Sequence, residues 1–175
     1  FGHWWFEGVD WLEATLRELA ANPDVELITA GDLVQTHPPG ESIELPEGSW
    51  GTGGDHGTWL NSGTSWTWPE IRARQDRAHG LLRDSTPATR QLARELLLLQ
   101  SSDWQFLMTT GQAHDYAIER FRSHMERFDR IADAIETGDP ETGQLVTEIG
   151  ELDNPFANID PCRFASKLPT IPMRG

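Results

Sequence analysis

The stretch QAHDYAIERFRSHMERFDRIADAIETG, residues 112–138, decides the fold class. Ala117, Phe121, Met125, Phe128, Ala132 and Ile135 recur at spacings of three and four, with charged residues between them. That period draws one apolar stripe along a helix. Gln112 opens the predicted helix, and Gly138 is free to close it in a left-handed cap. Upstream, Thr86-Pro87 begins another predicted helix, with Leu92, Leu96, Leu99, Trp104 and Leu107 facing inward. Thr67 to Arg83 suits a third, with Pro69 in its first turn, and Glu141 to Leu152 a weaker fourth. From Asn154 the tail carries several prolines and is expected to lie extended. The expected class is therefore mainly α.

Residues 1–48 read differently. Asp10 with Glu13 has the pattern of a capping box. Trp11, Leu12, Leu16, Leu19 and Ala20 form an apolar stripe that Asn22-Pro23 ends. Val25-Glu26-Leu27-Ile28-Thr29 is short, apolar and bounded by turn residues, which predicts a buried strand. Ala30-Gly31-Asp32 restarts a short helix. Helix, strand, helix is the rhythm of an α/β fold. One strand makes no sheet, and the chain starts at Phe1 in an aromatic cluster rather than a polar end. Both features lead to the expectation of a portion of a longer protein.

Composition bounds the function. The 175 residues carry 28 acidic and 14 basic side chains, a net charge of −14. Such a field disfavours nucleic acid and anionic membrane surfaces as partners. The Leu96–Leu99 run is far too short to span a bilayer. A single cysteine, Cys162, excludes an internal disulfide framework and a cysteine-rich zinc site, and fits a cytoplasmic location. The six histidines show no HExxH and no i, i+4 pair, so neither a metal nor another cofactor is expected. Gly51-Thr52-Gly53-Gly54 lacks the strand and lysine of a phosphate loop. Ser101-Ser102-Asp103 has no nucleophile elbow around it.

The segment between Pro46 and Pro69 holds six glycines and four tryptophans and shows little periodicity. A long loop in a compact domain is commonly functional. Trp50, Trp59, Trp66 and Trp68 stand among Asp55, His56 and Asn61. Flat apolar rings beside short polar groups suit a sugar, whose C–H face stacks on indole while its hydroxyls pair with the polar groups. The residues alone leave a second reading equally open, in which the tryptophans simply cap a helical core. Asp103 sits in an otherwise apolar predicted helix, so a buried carboxylate there needs a partner.

Phe1-Gly2-His3-Trp4-Trp5-Phe6-Glu7-Gly8 resembles a segment of glycoside hydrolase family 57. Glu47-Gly48-Ser49-Trp50-Gly51, Trp59-Leu60-Asn61 and Trp66-Thr67-Trp68 resemble the following part of that family's 1,4-α-glucan branching enzymes. Residues 96–107 and Thr109-Thr110-Gly111-Gln112-Ala113 continue the likeness, which weakens after about Asp153. The resemblance implies an incomplete (β/α)7 barrel followed by a helical C-terminal domain. Residues 1–48 would be the terminal part of the barrel, and residues 49–175 the helical domain with its aromatic substrate loop.

It also implies a retaining reaction that cleaves α-1,4 links and re-forms the chain as an α-1,6 branch. The family's catalytic carboxylates lie upstream, so none is expected in this chain. What matches is a substrate-contacting set: Trp50 and Trp59 as aromatic platforms, Asp103 and Gln112 as polar contacts. His3 and Trp5 are candidates for a place near the acid/base. The implied partners are an α-1,4-glucan such as amylose or glycogen and the remainder of the catalytic barrel. Two alternatives stay open, a family 57 α-amylase or 4-α-glucanotransferase, and a stand-alone glucan-binding helical module.

Overall fold

The structure is a computed structural model and describes residues 5–38 and 40–165. The chain divides into two compact units, Phe1–Pro46 and Glu47–Gly175.

In the first unit, α1 spans Gly8–Ala21 and α2 spans Ala30–Thr36. Asp10 lies inside the first turn of α1, whose cap is Glu7 without a side-chain hydrogen bond, so no capping box forms at Asp10. The acid still acts favourably there, because a carboxylate near a helix N-terminus meets the positive end of the helix dipole. Asn22 ends α1 as expected, and Thr29 caps α2 by accepting the Asp32 N–H. The predicted strand at residues 25–29 does not form: the segment is irregular, and no strand occurs among the described residues. Its β-branched composition is only half of what a strand needs. The other half is a neighbour to take its backbone hydrogen bonds, and this unit offers none. Val9, Leu12, Leu16 and Leu27 line an open apolar groove and remain exposed.

The second unit holds α3 (Thr67–Leu81), α4 (Pro87–Leu99), α5 (Asp103–Thr110), α6 (His114–Thr137), α7 (Thr142–Leu152) and α8 (Cys162–Ala165). The long helix α6 is the spine, and α3, α4, α5 and α7 all pack against it. Its stripe behaves as the spacing requires. Ala117, Phe121, Phe128 and Ala132 are buried, with Met125 and Ile135 packed at the margin. Each fully buried Phe contributes about 1.5–3 kcal/mol of burial free energy. Gly138 closes α6 at φ +67°, a conformation that a residue with a Cβ adopts only at a cost.

Three boundaries differ from expectation. Thr86 does cap α4 in a full capping box with Thr89. The helix then stops at Leu99, and α5 is a separate element after the break at residues 100–102. Gln112 lies before α6 rather than opening it, because Gly111 takes φ +73° to cap α5. The tail adds the short helix α8, which packs against α3.

Candidate functional site

The aromatic loop is ordered by its own short polar side chains. Ser49 Oγ donates to the Asp55 carbonyl and accepts the Gly51 N–H at 3.0 Å. Asp55 Oδ1 accepts the Gly57 N–H at 2.8 Å, an Asx turn. Gly53 and Gly54 take φ values of +81° and +75°. At Gly51 there is no room for a side chain: a Cβ would stand 2.7 Å from Thr58 Oγ1 and 3.0 Å from the Trp59 ring. These turns replace the missing periodic structure, so the loop is built rather than loose.

The loop presents Trp50 to solvent, 77% exposed. Its ring meets the Trp59 ring at 5.0 Å edge-on and Phe106 of α5 at 5.6 Å. Trp59 is partly buried, and its indole N–H, shielded from solvent, has no hydrogen-bond partner among the described residues. An indole that is held on two sides and open on the third is a preformed platform, since binding need not order it.

Helix α5 carries the polar candidates. Asp103 is exposed in its first turn and accepts a hydrogen bond from Ser101 Oγ at 2.9 Å. It is therefore not the buried acid that a continuous helix implied. Gln112 is exposed in the turn after Gly111, two residues beyond the end of α5. Phe106 stands one turn after Asp103, so the Trp50 ring touches the helical face that Asp103 begins. Spacing alone did not single out Phe106. The usable signal was its i+3 relation to Asp103.

Trp66 packs against the core, whereas Trp68 stays partly exposed. Trp66 meets Phe121 edge-on at 5.2 Å, lies under the Arg122 guanidinium, and donates to the Gly63 carbonyl. Trp68 donates to the Trp59 carbonyl at 3.1 Å. Trp5, in the first unit, packs on Trp11 at 5.5 Å and is half exposed. His3 lies outside the described residues.

A second constellation was not legible in the spacing. Glu95, His124 and Asp153, from α4, α6 and the end of α7, converge in the core with one ligand-type atom each within 4.8 Å of the others. Glu95 and His124 are fully buried and joined at 2.8 Å. His124 Nε2 lies 3.2 Å from Arg120 Nη2, a group that can only donate. The ring proton is therefore on Nδ1 and is donated to Glu95. Asp153 accepts from Arg127 and, at 3.4 Å, from Arg120. Gln91 donates one amide to Glu95 and to the Asp153 carbonyl. Two carboxylates thus face two guanidinium groups. A divalent cation would have to expel the Nδ1 proton, leaving one excess positive charge beside two guanidinium groups, or drive it to Nε2 against Arg120, leaving two. The donor set fits an internal ionic network, not a metal.

Residues 70–164 match the family model described as the C-terminal part of 1,4-alpha-glucan branching enzyme. The chain belongs to that family. It is 43% identical over 97% of its length to a 1,4-alpha-glucan branching enzyme of Thermococcus kodakarensis, of which it covers 26%. A probable 1,4-alpha-glucan branching enzyme of Mycobacterium tuberculosis is 34% identical, with 34% of that protein covered. This family member therefore spans about a quarter to a third of the relatives it matches. Among solved structures, the GH57-type branching enzyme from Pyrococcus horikoshii superposes with a TM-score of 0.68 at 41% identity, over 97% of this chain and 34% of that one. An α-amylase from Thermotoga maritima gives 0.57 at 28% identity, over 96% and 32%. Among the described residues no helix is long and apolar enough to cross a membrane.

Proposed function

We infer that this chain is the glucan-holding C-terminal portion of a branching enzyme that cuts α-1,4 links and rejoins the freed chain through α-1,6 bonds. The observation that carries the reading is the exposed Trp50 face, backed by Trp59 and Phe106 beside the Asp103 helix. Trp50 and Trp59 supply the stacking surface. Asp103 accepts hydrogen bonds from sugar hydroxyls, and Gln112 both donates and accepts. Transfer in place of hydrolysis requires that an acceptor sugar, not water, meets the glycosyl-enzyme. A rigid aromatic platform that holds sugar serves that end.

The relatives support branching over the alternatives. Identity is 41–43% to two branching enzymes against 28% to the α-amylase. The Thermococcus kodakaraensis enzyme was crystallised in complex with glucose. In the first unit, exposed Val9, Leu12, Leu16 and Leu27 suit docking onto the remainder of a catalytic barrel, with residues 1–48 as its terminal part. Trp5 would lie toward the reacting carboxylates. The exposed Cys162 thiol fits a cytoplasmic place of work.

The catalytic carboxylates belong to the remainder of the enzyme, so the 175-residue chain alone binds maltoheptaose but forms no branches. Calorimetric titration with maltoheptaose and chain-length analysis of debranched amylose test this. New α-1,6 product from the chain alone, or no binding, overturns it.

A further inference from the structure

Within the aromatic loop, the hydroxyl-pairing role assigned to Asn61 on composition meets a different geometry. Both hydrogens of its amide are committed, one to the Gly57 carbonyl at 2.8 Å and one to Thr109 Oγ1 of α5 at 2.9 Å. Its Oδ1 accepts the Gly63 N–H at 2.9 Å, and its own N–H donates to Thr64 Oγ1. Thr64 Oγ1 in turn donates to the Trp59 carbonyl at 2.8 Å. A side chain with both donors engaged has none left for a sugar.

Thr109 lies one turn after Phe106, which itself lies one turn after Asp103, so the three form a row of i, i+3 neighbours that slants around α5. Trp50 rests on the middle residue of that row, and Asn61 is bonded to its end. The aromatic loop is thus fastened to α5 at two points, one apolar and one polar. The apolar contact lets a ring slide. The hydrogen bond has a direction and fixes register.

We propose that Asn61 is a positioning residue, which through Thr109 sets the distance between the tryptophan platform and Asp103 so that both reach one glucan chain. The proposal rests on the glucan-binding reading above. The Asn61–Thr109 bond lies at the surface, so its loss leaves the helical core intact.

The test is a double-mutant cycle on the 175-residue chain, with maltoheptaose affinity read by calorimetry and helix content by circular dichroism. Thr109→Val removes only the acceptor on α5 and keeps every bond inside the loop. It is expected to weaken binding about fivefold, within the range for a single lost hydrogen bond, at unchanged helix content. Thr109→Ser restores the hydroxyl and returns affinity to within about twofold of the parent chain. Adding Thr109→Val to Asn61→Ala costs nothing further, because the two groups act through one bond. If Thr109→Val binds as the parent does, or if the two effects add, the positioning role is wrong. If the parent chain itself does not bind maltoheptaose, the glucan reading falls, and this inference with it. Because Thr109 is exposed, the Val and Ser variants give an answer even if Asn61→Ala disturbs the loop.

Discussion

Two regions of the helical unit invert the ordinary placement of side chains. Around His124, two carboxylates and an amide are buried in the core, met by two partly buried guanidinium groups. Around Trp50, a large apolar ring stands in water on two partly buried ones. Each inversion carries a cost, and the two are offset differently. The buried groups satisfy one another almost completely, so their arrangement is specified by the folded chain alone. The exposed ring is held in place yet left uncovered, and only a further molecule completes it. Complete satisfaction marks architecture, and incomplete satisfaction marks a site.

Substitution separates the two. Glu95→Ala removes the acceptor of the His124 proton and leaves two guanidinium groups facing one carboxylate. The expected loss is about 1.5–3 kcal/mol of folding stability, the range for a buried hydrogen bond to a charged group whose donor is left unsatisfied. Urea denaturation of the chain measures it, and a loss below about 1 kcal/mol would mean that water reaches the network. Trp50→Ala should show the opposite profile. Stability changes by less than about 0.5 kcal/mol, as for a surface position, while maltoheptaose affinity falls roughly tenfold. Equal losses of stability and affinity would place Trp50 in the architecture instead.

The smallest effect belongs to a third kind of polar contact, the exposed ladder between α3 and α6. Arg77 bonds Glu136 at 2.7 Å and Asp133 at 2.5 Å. The hydrogen bond from Arg77 holds the Glu136 carboxyl below its ordinary range, outweighing desolvation and the neighbouring Asp133 charge. The ionised form therefore favours the folded state. Its contribution is present above the usual carboxylate range, near pH 4, and disappears as pH falls through the lowered value. Melting temperatures of the parent chain and Glu136→Gln should differ slightly at pH 7 and converge below about pH 4. A gap that persists in acid would show that shape, not charge, matters at this position.

The same contrast explains what could be read from the sequence. The α6 stripe and its Gly138 cap depend on local period and local turn chemistry, and both are written in consecutive residues. Residues 25–29 have strand composition, but pairing is a property of two segments, and composition reports one. Glu95, His124 and Asp153 are each 29 residues from the next. Their meeting follows from how α4, α6 and α7 pack, which no spacing rule encodes. Trp50 was visible because rare residues in a glycine-rich loop are conspicuous. The resemblance already sets Trp50 and Trp59 apart from Trp66 and Trp68, and the structure adds that the indole N–H groups of Trp66 and Trp68 each donate to a nearby carbonyl.

The break between Leu99 and Asp103 has a consequence for how such a surface can change. Leu92, Leu96 and Leu99 mark the inward line of α4, and an uninterrupted helix would carry that line straight through residues 103 and 106. Asp103 and Phe106 would then point into the core. The three residues between the two helices reset the phase, so that Gln105 and Met108 turn inward and Asp103 turns out. The break is a rotary joint: one residue more or fewer there turns the whole of α5 by about 100°, exchanging its buried and exposed faces. A change of length at residues 100–102 is therefore expected to disturb this surface more than a change of identity.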